Sequence, residues 1–319
     1  MTWTPICLML ECRRTFKMKK TLVVLAGPTA VGKTSCGIEV ARHFGTEIIS
    51  ADSRQIYKET TIGTAVPSPE ELAIVRHHFI QNISITEAYN ASLYENQVLE
   101  KLEELFKVHD LVLMVGGSGL YIDAVCEGID DLPKVDQELR NELQDRLKKE
   151  GLDVLTQLLL HLDPVSYEKV DLKNHMRVLK ALEISIQTGK PYSTFLSDTQ
   201  KERPFQILRI ALDLDREILY TRINQRVEQM MEAGLLKEVK QVQDLKDYTA
   251  MKTVGYRELF PVLAGELSIN EGVDLIKRNT RKFARKQLTW FRKEKRYQWF
   301  SPGNCKEIVE WIETKSGYL

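Results

Sequence analysis

Cysteine is scarce in this 319-residue chain, with five residues at positions 7, 12, 36, 126 and 305. Their number is odd and none share the short spacing of a thiolate metal site, which excludes a disulfide framework and a zinc centre and leaves reduced thiols. Net charge is absent as well. The 45 basic residues are matched by 45 acidic ones, a balance that argues against a protein coating nucleic acid with its whole surface. No apolar run reaches the ~18 residues of a membrane span, so no membrane partner is expected. Internal repeats and low-complexity tracts are missing, as are the NKxD motif of GTPases and the signature of ABC-type ATPases. What is present is ordinary for a soluble globular enzyme: 43% hydrophobic and 28% charged residues. The length suits roughly two domains.

The chain opens with MTWTPICLMLECRRTFKMKK. Its basic residues follow the apolar patch instead of preceding it, and no small-residue cleavage site appears, so a signal peptide is not expected. Residues 1–18 read as an extension ahead of a folded protein that begins near Met18.

The strongest local signal is GPTAVGKT, residues 27–34, a full match to the P-loop pattern. The apolar run TLVVLAG before it reads as a buried strand, and TSCGIEVARHF after it has helical spacing. In that setting Gly27, Thr29, Ala30, Val31 and Gly32 turn backbone N–H groups toward an anion above a helix N-terminus. Lys33 adds a point charge, and the Thr34 hydroxyl is placed to ligate Mg²⁺. A polyphosphate is therefore the expected ligand, with ATP, GTP and pyrophosphate esters all compatible.

Two further strands are expected at EIISAD and LVLMVGG, with a helix over SLYENQVLEKLEELFKVHD between them. This describes an α/β fold, a P-loop NTPase-like parallel sheet. Ligands of such sheets sit at the carboxyl ends of the strands, where Gly27, Asp52 and Ser118 all fall. From 131 to 203 the pattern becomes helical, and strand signals return at FQILRIALDLD. The expected organisation is thus a core of 19–130 and 204–319 with an all-helical insertion over 131–203. The last third reads as helices, including VGYRELFPVLAGE and the basic KRNTRKFARKQLTWFRKEKR. In the latter Arg278, Arg281, Lys282, Arg285 and Arg292 recur at helical spacing among Phe283, Leu288 and Phe291, and Glu294 is its only acid. A cationic face of this kind is either solvated or pressed against phosphates, and the shortage of local acids favours phosphates.

One function class is a small-molecule or nucleotide kinase, for which Asp213 would supply the acid closing a buried strand. A second comes from segments taken in order: GPTAVGKT, ISADSRQIYKETTIGTAVPS, HHFIQ, VGGSGLYIDAVCEG, MRVLKALEI, YTRINQRVEQMMEAGLLKEV, TVGYREL and RKFARKQLTWFR. Together they closely resemble the tRNA dimethylallyltransferase (tRNA isopentenyltransferase) family, from Lys19 to about Phe300. The resemblance implies that the P-loop holds the diphosphate of dimethylallyl diphosphate. The five-carbon group would go to N6 of the adenosine just 3′ of the anticodon in tRNA. Asp52 matches the family's catalytic aspartate and would take the N6 proton; its simpler role is to cap the following turn. Arg226, with Arg222 one turn earlier as second choice, would clamp the leaving diphosphate, unless both arginines merely pair with acids such as Glu228.

For RNA, the resemblance carries over Asp52, Ser53, Arg54 and Gln55, then Ser118 and Arg140, and the stretch from Met176 to Lys180. It also carries over Lys252 to Arg257, including Gly255 and Tyr256, and Arg285 to Arg292, including Lys286, Gln287 and Trp290. Arg281 joins them from the cationic face. The chain has Ser118 where the family usually has Thr, which keeps the hydroxyl. Met176 and Leu179 stand where polar residues are common, so Arg177 and Lys180 are the contacts expected there. No Cys/His pair follows the basic helix, so the zinc finger of eukaryotic members is not expected and the chain reads as bacterial in type. A cytoplasmic monomer is expected.

Overall fold

The computed structural model describes residues 19–130, 132–197 and 200–317. The extension expected over 1–18, with Cys7 and Cys12, lies outside them. The elements in the first part of the chain are β1 Thr21–Ala26, α1 Lys33–His43, β2 Ile48–Ala51, α2 Pro69–Ile74, β3 His77–His78, α3 Ala91–Leu105, β4 Leu111–Gly116 and α4 Gly119–Glu127. Helices follow as α5 Gln137–Glu150, α6 Leu152–Leu162, α7 Pro164–Lys169 and α8 His175–Thr188. The chain then returns as β5 Gln206–Leu212, α9 Arg216–Glu232, α10 Leu235–Gln241, α11 Phe260–Leu263, α12 Ile269–Lys293, β6 Gln298–Phe300 and α13 Cys305–Ser316.

The six strands form one sheet in the order β3-β2-β4-β1-β5-β6, every pair parallel. Every residue of β1 is buried, as a strand covered on both faces requires. Ala26 lies opposite both Gly116 and Ala211, and Ala51 opposite Gly116. The strands therefore end level, so Gly27, Asp52, Gly117 and Asp213 leave one edge of the sheet side by side. The core on α1, α9, α12 and α13 is aliphatic, built around Val40, Leu113, Ile210, Ile223 and Ile308. Cys36, Cys126 and Cys305 are buried free thiols.

The described residues divide into two compact units, one of 19–87, 101–119 and 204–317, the other within 88–100 and 120–203. The second unit contains the helical segment expected over 131–203 and also takes in 88–100 and 120–130. The reason is local: Tyr94 stacks on Tyr121 at 4.4 Å, and buried Glu95 accepts from Ile129 N–H at 3.0 Å and from Arg203 at 2.6 Å. Its core joins α5, α6 and α8 through Leu143, Leu155, Leu159, Val178 and Leu182.

One sequence expectation about elements is corrected. The stretch VGYRELFPVLAGE is not one helix: residues 254–259 are turns and only Phe260–Leu263 is helical. Gly255 sits at φ 104°, where L-residues are disfavoured, and the Glu258 carboxylate takes its N–H at 2.8 Å, which draws the backbone away from a helical ladder. Phe283 faces outward, since the buried stripe of α12 runs through Ile276, Ala284, Gln287 and Phe291.

Candidate active site

The P-loop closes onto α1 through Gly32, which caps that helix in the left-handed region at φ 107° and provides no side-chain cap. The first N–H groups of α1 are thus left for a ligand. Ala30, at φ 63°, bends the loop further. Lys33 Nζ donates to Pro28 O at 2.8 Å, and Arg222 Nη1 donates to Val31 O at 3.3 Å. Burial pulls the Lys33 amine down to about 8; Asp52 partly counters this and Arg226 adds to it. Arg226 is itself lowered by burial, against the pull of Asp52 and Glu71. Lys33, Asp52 and Arg226 therefore share one electrostatic environment. Arg226, the expected clamp, is a cation of that environment, and Arg222 is held on the loop backbone. Thr34, partly buried in the first turn of α1, has no side-chain hydrogen bond among the described residues.

Asp52 follows β2. Its Oδ1 accepts from Arg54 N–H at 2.9 Å and from Gln55 N–H at 3.4 Å. The capping role is real, and it fixes the carboxylate while Oδ2 has no donor among the described residues. Ser118 accepts from Ser53 N–H at 2.9 Å and donates to Ser53 Oγ at 3.1 Å, which ties the turn after β4 to the residue following Asp52. Gln55 donates to Thr64 O and Ala65 O at 3.2 and 2.8 Å.

That second loop is held by a residue the sequence reading missed. Glu238 of α10 accepts from the N–H groups of Thr61, Ile62 and Gly63 at 3.0, 2.8 and 3.0 Å, and from Tyr256 Oη at 2.5 Å. The available signal was an acid flanked by Leu235 and Val239 on the buried face of a helix. Tyr256, expected to touch RNA, is fully buried, and its phenol is pushed up by burial and by the Glu238 carboxylate. Gly255 is buried with it, so both act on the fold of this loop and not as surface contacts. Lys252 and Arg257 are exposed on either side, and Arg257 Nε donates to Glu258 at 2.6 Å.

On α12, Arg285 and Lys286 are exposed, as is Lys282 between them and Arg281. Arg281 donates to Asn224 Oδ1 at 2.6 Å, and Arg292 pairs with Asp213 at 2.7 Å. The helix is thus less uncompensated than its own sequence suggests, because Asp213 on Arg292 and Glu228 on Lys277 come from other elements, whereas Asn224 holds Arg281 without neutralising it. Asp213 also accepts from Leu214 N–H at 2.9 Å, so each of its oxygens carries one hydrogen bond. Gln287 is buried and bonds to backbone, which corrects its expected role as an RNA contact. Trp290 is partly exposed on the same helix.

In the second unit, Arg140 makes a two-pronged pair with Glu183 at 2.9 and 3.1 Å. Lys180 beside them is lowered, by burial first and by Arg140 as well, against Glu183. Arg177 and Met176 are exposed in the first turn of α8, whereas Leu179 belongs to the core.

A family model described as IPP transferase matches residues 55–294. The tRNA dimethylallyltransferase of Christiangramia forsetii is 50% identical over 299 residues, spanning 93% of this chain and 99% of its own. That of Cytophaga hutchinsonii is 45% identical over 298 residues, with 93% and 98% covered. Among solved structures, the full-length tRNA isopentenylpyrophosphate transferase of Bacillus halodurans superposes with a TM-score of 0.69 at 34% identity, over 94% of this chain and 98% of that one. A eukaryotic dimethylallyltransferase acting on tRNA gives a TM-score of 0.71 at 27% identity, over 85% and 69%. Likeness sustained over nearly the whole length of chain after chain is kinship and not a shared loop: the chain belongs to the IPP transferase family of tRNA dimethylallyltransferases.

Proposed function

We propose that this transferase moves the dimethylallyl group of dimethylallyl diphosphate to N6 of the adenosine 3′-adjacent to the anticodon in tRNA, releasing diphosphate. The observation that carries the proposal is the carboxylate of Asp52 on the same sheet edge as the cationic cradle of Lys33 and Arg226. An exocyclic adenine amine is a poor nucleophile because its lone pair is delocalised into the ring. As N6 attacks the allylic carbon, Asp52 takes its proton, the C–O bond to diphosphate breaks, and the electron pair leaves with the diphosphate. Lys33, Arg226 and the loop amides lie where that charge builds up.

The Thr34 hydroxyl suits Mg²⁺. Among the described residues no cluster of three His, Cys, Asp or Glu is arranged to cage a metal, and a single hydroxyl is the donor set of a Mg²⁺ shared with substrate phosphates and water. Bound there, the ion would add positive charge at the diphosphate oxygens.

The target adenosine is stacked in its loop, so it is flipped into the crevice to react. Lys252, Arg257, Lys282, Arg285 and Lys286 supply exposed cations for the surrounding phosphates on the first unit, and Arg177 does so on the second. The kinase alternative is set aside by the family. No helix among the described residues is long and apolar enough to cross a membrane. A tRNA substrate fits a cytoplasmic enzyme, which we propose acts as a monomer. The test is purified protein with tRNA lacking the modification and either labelled dimethylallyl diphosphate or labelled ATP. Label reaching tRNA from the prenyl donor alone is the expected result, and transfer from ATP would overturn it.

A further inference from the structure

The buried stripe of α12 sets Gln287 between two backbones. Thr29 N–H, in the P-loop, donates to its Oε1 at 2.9 Å, and its Nε2 donates to Gly117 O at 2.9 Å. Both ends of the amide are used, and this polarity is the one assignment of oxygen and nitrogen that satisfies both partners. Gly117 has no side chain, and a Cβ there would lie 2.3 Å from Nε2, so the turn after β4 approaches the helix as closely as backbone allows. The next residue of that turn, Ser118, grips Ser53 beside Asp52. One buried amide thus stands at the junction of the phosphate loop, the turn that fixes the base, and a helix whose outer face carries Lys282, Arg285 and Lys286.

We infer that Gln287 is a positioning residue that couples diphosphate binding to RNA binding. It touches no reacting atom. RNA on the outer face of α12 holds the helix against the sheet edge, and through Gln287 this fixes the Thr29 amide and the curvature of the loop before diphosphate arrives. Coupling of this kind is reciprocal, so diphosphate raises the affinity for RNA by the same factor. The inference rests on the proposed function for RNA as the ligand of α12.

The test is calorimetric binding of inorganic diphosphate with Mg²⁺, with and without saturating tRNA that lacks the modification. In the parent the dissociation constant should fall by roughly fivefold or more when tRNA is present, within the usual range of coupling between sites. Gln287→Met fills a similar volume but can make neither hydrogen bond, and its ratio should lie within about twofold of one. A parent ratio of one, or a Gln287→Met ratio equal to the parent's, overturns the inference. A second measurement needs no variant: amide exchange in residues 29–32 of the parent should slow on adding tRNA alone, and unchanged exchange also overturns it. Prenyl transfer by the parent is assayed alongside. Coupling without transfer leaves the link standing and removes the reaction, whereas transfer without coupling does the reverse.

Discussion

Lys33 Nζ donates to the carbonyl of Pro28, five residues back in its own loop, at 2.8 Å. The P-loop amine is turned onto backbone, and burial lowers it from an ordinary 10.5 to about 8. A bound diphosphate favours the charged amine and moves the value back up.

Binding of dimethylallyl diphosphate should therefore take up a proton between pH 8 and the higher value in the complex, and affinity should fall by up to about tenfold per unit above pH 8. Lys33→Arg, charged throughout, should lose that slope. Titration calorimetry in buffers of different ionisation enthalpy reads the proton directly. The same shift sets the sign for stability without ligand: from about 8 to 10.5 the unfolded chain holds more protons at this residue than the folded one, so its contribution to stability rises with pH across that window.

Asp52→Asn keeps the shape and the cap on the following turn but removes the base. Single-turnover prenylation at saturating tRNA should slow by about 10² to 10⁴, the usual worth of general base catalysis. Binding of tRNA should change much less, since phosphate contacts dominate it. Near-normal chemistry would take Asp52 out of the mechanism.

Glu238→Gln replaces an acceptor of four hydrogen bonds with an amide that can accept only through one oxygen. Buried donors left unpaired should cost about 2–3 kcal/mol in denaturant unfolding. Tyr256→Phe removes one of the four and should cost less, roughly 1.5 kcal/mol. Equal stability of the Glu238→Gln variant and parent would show that the loop does not depend on this carboxylate.

Salt dependence should separate the cations of α12. Lys282, Arg285 and Lys286 changed together to Gln should flatten the salt slope of tRNA binding by about two to three units. Changing Arg281 and Arg292 should have a smaller effect, because Asn224 and Asp213 already hold them. A slope unmoved in the triple variant would make this face a solvated one.

The site was legible in the sequence where chemistry is local in the chain. GPTAVGKT between a strand and a helix placed Lys33 and Thr34, and the ends of EIISAD and LVLMVGG placed Asp52 and Ser118 on one edge. What stayed hidden depends on distant partners. β3 and β6, of two and three residues, are too short to show a period and exist because a neighbouring strand pairs with them. The resemblance carries Gln287 over as an RNA contact of a basic helix, and only the fold shows Thr29 and Gly117 giving its amide two backbones to bridge. Tyr256 is carried over as an RNA contact with its segment, and its burial against Glu238 is a fact of α10, not of that segment.

The level ends of β1, β2 and β4 act as a ruler. A strand advances about 3.3 Å per residue and its side chains alternate faces. One residue inserted in β2 ahead of Asp52 would lift the carboxylate past the cradle and turn it to the far side of the sheet. The connections between the strands can lengthen freely, as the helical unit carried between β4 and β5 shows. Tolerance to insertion in this enzyme is thus divided along the chain: wide in the crossovers, and close to zero in the few residues that count off the distance to the reaction.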